Sequence, residues 1–195
     1  MTLPLPKLAT SLESLLPRLE LGQPATSAVT GVGTAAEAIE RLEAQGLRAE
    51  AVRLAAHALP KREAVWWACM CAGAVPDSGL SAADAAARTA AEAWVRQPAD
   101  ERLRRAAWDA AQKTAFASPE AWAAVAAFWS GGSMAPEGQP VVPPADHLTG
   151  VAVDGAVALA AARGHAQRSE ARFERFLAAA RDIARGGAGR IPPEE

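Results

Sequence analysis

Alanine supplies about a quarter of this 195-residue chain, and no other feature narrows the choice of fold so far. Alanine loses no side-chain entropy and buries no polar group in a helix, so it is the best helix former. Tyrosine is absent, and the β-branched and aromatic runs that strands prefer are scarce. An all-α fold is therefore expected. Half of the residues are hydrophobic, and the length suits one well-buried domain or two small ones.

The helix boundaries are written in capping residues. Thr34 followed by Glu37 forms a capping box, and Gly46 stands where a helix C-terminus closes. The next helix, from about Leu47, stops at Pro60, which opens the one after it. Ser81 with Asp84, Pro98, and Ser118-Pro119-Glu120 mark three further starts. Asp84, Arg88, Glu92 and Arg96 fall at i, i+4 spacing as a thin charged stripe. Two more helices, about Asp146 to Arg163 and His165 to Arg185, complete a count of about eight. Short connections make neighbours antiparallel, so we expect an irregular bundle with one long Pro/Gly-rich loop. A short HEAT- or TPR-like solenoid is the alternative, although no second repeat copy aligns. The expected organisation is a poorly regular segment over 1–30 with at most one short helix near Lys7 to Leu16, a single helical domain over 31–186 and a flexible tail over 187–195.

The segment LPKREAVWWACMCA places two tryptophans and both cysteines together. On a helix, Trp66 and Trp67 point about 100° apart, and Met70 and Cys71 lie one turn on along the same directions. Apolar groups then cover most of the circumference, the mark of a helix buried against several neighbours. C-x-C without a nearby histidine is neither a zinc spacing nor the C-x-x-C of a redox pair. Lys61 and Arg62 occupy a first turn where the dipole disfavours cations; either Glu63 and solvent offset that cost, or Arg62 reaches an acidic partner or holds another helix.

Other chemistry is sparse. Gly31-x-Gly33-x-x-Ala36 matches a dinucleotide fingerprint, but it lacks the preceding strand, and the capping box explains the same residues. His57, His147 and His165 are scattered, and His57 reads as a surface residue four places after Arg53. No catalytic site, cofactor or metal site is expected. Asp154, inside an apolar helix, is the one carboxylate that burial could perturb. A formal net charge of −2, with both signs interspersed, argues against nucleic acid. Two cysteines, no signal-peptide pattern and no apolar run of bilayer length point to a cytoplasmic protein without a membrane span.

The stretch AAFWSGGSMAPEGQPVVPPADHLTG ends a helix on Phe128-Trp129 and runs into a loop rich in glycine and proline. Loops this long are functional or disordered, tryptophan is common at binding hot spots, and Pro-rich segments dock with little entropy left to lose. Arg62, Phe128, Trp129, Met134 and Pro136 are the candidate partner contacts. A rival reading gathers Trp66, Trp122 and Trp129 into an aromatic pocket with Asp154 as its polar group.

The blocks LAAHALPKREAVWWACMCA, AAEAWVRQPADERLRRAAWDAA, AAFWSGGSMAPEG with VVPP behind it, and LTGVAVDGAVALAA resemble a family of bacterial helical proteins without assigned function. Members of that family accompany type VI secretion genes, and the family brings no catalytic residue. The resemblance, which spans roughly Leu54 to Ala162, implies an accessory interaction protein. The expected function is thus a non-enzymatic adaptor, chaperone or accessory whose partner is another protein, a secretion component or an effector. The alternatives are a small-molecule-binding or catalytic protein with a Trp-lined pocket, and an immunity-type inhibitor of a toxin.

Overall fold

A computed structural model of the chain describes residues 5–8 and 10–194. Among them are ten α-helices and no β-sheet. The helices are α1 (Leu12–Leu19), α2 (Gln23–Ala28), α3 (Ala35–Ala44), α4 (Arg48–Ala58) and α5 (Lys61–Ala74), followed by α6 (Ala82–Arg96), α7 (Glu101–Ala111), α8 (Pro119–Phe128), α9 (Leu148–Ala162) and α10 (Ser169–Ala184).

The punctuation acts as its residue types require. Thr34 accepts from the Glu37 N–H while the Glu37 carboxylate accepts from the Thr34 N–H. Ser81 and Ser118 accept from the Asp84 and Ala121 N–H groups. Gly46, at φ +75°, ends α3, with Gly46 N–H on Glu43 and Leu47 N–H on Leu42, the paired bonds of a Schellman motif. The charged stripe of α6 forms too, with Glu92 between Arg88 and Arg96.

Helices α8 and α9 lie side by side at the centre. Around them α4 and α5 pack on α9, α6 and α7 pack on α8, and α10 crosses α4, α5 and α9. Their facing surfaces are mostly alanine, valine and glycine, so the backbones approach closely. A solenoid would restrict each unit to its neighbours in sequence. Contacts such as α5 with α9 and α4 with α10 exclude that alternative and make the molecule a bundle.

Two terminal segments differ from the sequence reading. The segment over 1–30, expected to hold at most one short helix near Lys7 to Leu16, contains both α1 and α2, and Leu8, Leu12, Leu15 and Leu19 bury one leucine stripe in the core. Pro17 sits inside α1 but removes only the bond to the exposed Glu13 carbonyl. The tail expected to be flexible is fastened. Glu194 accepts two hydrogen bonds from Arg172 and one from Arg175, with Arg168 also near, and its N–H donates to Ala74.

Candidate functional site

Helix α5 is core, as its composition requires. Trp67, Cys69 and Cys71 have no solvent exposure, and the Trp67 indole N–H donates to the Phe176 carbonyl at 2.8 Å. Burial pushes both cysteine thiols well above their ordinary range, so thiolate chemistry is suppressed.

Five arginines organise the bundle in a way no motif announced. Each donates to carbonyls at the C-terminal end of a helix other than its own. Arg53 holds Leu19 of α1, and Arg62 holds Val95 of α6. Arg104 holds Phe128 of α8, Arg163 holds Ala72 and Val75 at the end of α5, and Arg172 holds Ala161 and Arg163 at the end of α9. Helix ends leave orphan carbonyls and partial negative charge, which a guanidinium satisfies twice over. Each also meets a carboxylate, respectively Asp154, Glu63, Glu101, Glu120 and Glu194. Arg62 is therefore explained as a residue that holds another helix, and half of its side chain remains exposed.

The long loop after α8 is built on the third of these arginines. Arg104 reaches past Phe128 to the Ser133 carbonyl, and Arg105 donates to the Ala135 carbonyl at 3.1 Å. The Ser133 hydroxyl accepts from the Ala135 and Val142 N–H groups, and Met134 N–H donates to Val142 across the loop. Pro144 is buried at its far end. Between these anchors Val141 is 76% exposed and Val142 47% exposed.

The candidate partner contacts divide accordingly. Phe128 is not at the surface: it is 2% exposed, stacked on Trp108 at 4.8 Å between ring centroids, with the Arg104 guanidinium 4.6 Å from its ring. As the last residue of α8 it turns inward. Trp129 and Met134 are half-buried and Pro136 is exposed. The Trp129 carbonyl accepts from the Thr149 hydroxyl, and its ring meets Trp122 edge-on at 6.3 Å.

The proposed aromatic pocket is not assembled. Trp66 borders a groove of about 320 Å3 with Arg62, Val95 and Ile183, and its indole N–H donates to Ala188. Trp122 packs near Gly155 and donates to the Phe116 carbonyl. Asp154 lines a separate cavity of about 470 Å3 between α1, α4 and α9, whose other polar groups are Arg18, Glu20, Arg53, His57 and His147. Its carboxylate accepts from Arg53 at 3.1 Å, and burial raises its pKa despite that arginine.

A family model described as Family of unknown function (DUF6931) matches residues 38–184. The chain belongs to that family. The DUF6931 match runs from within α3 to the last residue of α10, so it includes the long loop, all five capping arginines and the α4–α9 wall of the cavity. Arg18 and Glu20 precede the DUF6931 span and Glu194 follows it. No curated protein and no solved structure matches the chain.

No short sequence pattern marks the cavity, because its parts are far apart in the chain. His57 and His147, ninety positions apart, face the same space, and His57 is half-buried where a surface residue was expected. The partner of His57 on α9 is Gly150, where a Cβ would stand 2.5 Å from the imidazole Nδ1. The spacing of Arg53 to His57 was visible. The helix opposite them was not.

Proposed function

We propose that this protein is a non-enzymatic interaction module whose partner is another protein, docking on the loop between α8 and α9. One observation supports this above the rest: Val141 and Val142 are exposed on a loop whose backbone is fastened at Ser133, Met134 and Ala135. Exposed apolar side chains on a fixed loop offer area that a partner can cover, and a fixed loop spends little entropy on docking. Pro136, Met134 and the exposed part of Trp129 border the same loop, while Phe128 supports it from beneath.

The setting that fits is the one the resemblance suggests, an accessory or adaptor of a bacterial type VI secretion apparatus acting in the cytoplasm. Among the described residues no helix is long and apolar enough to cross a membrane, and no group of three or more His, Cys, Asp or Glu is placed to hold a metal. The test is a photo-crosslinking residue at Val141, with the same residue at exposed Glu13 of α1 as control. A discrete protein adduct at Val141 alone supports the reading, and adducts that do not distinguish the two positions refute it.

A further inference from the structure

The cavity between α1, α4 and α9 carries more donors than the fold uses. Among the described residues the Arg18 guanidinium and the His57 and His147 imidazoles line it without a hydrogen-bond or ion-pair partner. Most of the other arginines at helix ends here are committed to carbonyls or carboxylates, as Arg53 is to Leu19 and Asp154. His147 is the N-cap residue of α9, whose first turn has no acid and no side-chain cap, so the positive end of that helix faces the same region. Gly150, in that turn, lets the His57 ring lie directly against the helix, because any side chain there would collide with it.

The carboxylates nearby are mostly engaged. Asp154 pairs with Arg53, and Asp146 lies 3.6 Å from Lys61 in an adjoining depression that shares Arg18, His57 and His147. Glu20 lies exposed at the rim. We propose that this cavity binds a small oxyanion, a carboxylate or phosphate group on a metabolite-sized molecule, through Arg18, His57 and His147. A volume of about 470 Å3 lies within the range of small-molecule sites. The lining is close to neutral when both imidazoles are neutral, with Arg18 and Arg53 set against Glu20 and Asp154, which suits an anion of one or two charges rather than a polyphosphate.

The titration of His57 agrees with this geometry. Burial is the largest cause that lowers its pKa from 6.5 to about 4, and the neighbouring His147, Arg53 and Arg18 add a positive field, the part that an anion would relieve. A bound anion favours the imidazolium. Its binding therefore raises the His57 pKa, takes up protons, and tightens as pH falls from neutrality.

The experiment follows the imidazole resonances of the full chain near pH 6 while inorganic phosphate, and separately succinate, is added. Exposed His165 lies outside the cavity and serves as the internal control. We expect saturable shifts at His57 and His147 with His165 unmoved, and a loss of affinity of roughly tenfold in Arg18→Gln, a change at an exposed side chain. Saturation by phosphate alone assigns a phosphate ligand, and saturation by succinate alone a carboxylate. Shifts that never saturate with either anion, or that His165 shares, overturn the proposal. So does Arg18→Gln binding as tightly as the native chain. The outcome is independent of whether Val141 contacts a partner.

Discussion

The Arg163 guanidinium closes on Glu120, a carboxylate with no solvent exposure, in the first turn of α8. The same arginine satisfies the Ala72 and Val75 carbonyls, so one side chain joins the N-terminus of α8 to the C-terminus of α5. Glu120 suits its helix end, where the dipole favours an acid, and Arg163 suits the end it caps. Breaking a buried pair from one side leaves an uncompensated charge. Arg163→Met is expected to cost about 3–5 kcal/mol in urea unfolding. Arg163→Met with Glu120→Gln should cost less than the sum of the two single changes, and full additivity would show that the pair is not coupled.

Trp67 tests the reading of α5 as core. Its ring has no exposure and its N–H is the donor to Phe176. Trp67→Ala should destabilise by about 3–5 kcal/mol through transfer and cavity terms. A loss below about 1 kcal/mol would contradict the buried helix.

The thiols of Cys69 and Cys71 should be silent in the folded chain. Both are fully buried and desolvation holds them protonated. A thiol reagent at neutral pH is expected to modify neither until denaturant unfolds the protein, when both react. Rapid modification under native conditions would show that α5 opens locally.

His57 gives the stability a pH signature. Its folded pKa of about 4 lies below its ordinary 6.5, so between those values the unfolded chain takes up a proton that the native one refuses. Stability contributed by the neutral imidazole is complete above about 6.5 and declines as pH falls toward 4. Glu63, Glu101 and Glu194 have lowered pKa values, so their contribution is lost only below about 4.5, and Asp154, with a raised one, works in the opposite sense. His57→Gln should therefore flatten the stability profile between about pH 6.5 and 4.5, and an unchanged slope would reject this account.

Much of the helix layout was legible because capping is local. Thr34 with Glu37, Ser81 with Asp84 and Ser118 before Pro119 act within one turn, and each acts as the sequence indicates. The terminal segments misled for physical reasons. Prolines masked the 8, 12, 15, 19 leucine stripe of the first segment, and Glu194 is ordered by arginines about twenty positions upstream that no short pattern connects to it. Phe128 looked like half of an exposed aromatic pair, and only the placement of Trp108 and Arg104 on α7 shows that it points inward. The anion cavity depends on α4 meeting α9, a tertiary fact without a sequence signal.

The interaction surface is the central claim, and affinity for the protein crosslinked at Val141 tests it most directly. Val141→Asp with Val142→Asp changes two exposed side chains and should leave the melting temperature unaltered. The account predicts that this double variant loses binding by at least about a hundredfold, the scale of a hot-spot loss. Arg104→Ala, which releases Ser133 and Phe128, should weaken binding as well by freeing the loop. Binding by the folded Val141→Asp, Val142→Asp chain at native affinity would contradict the account.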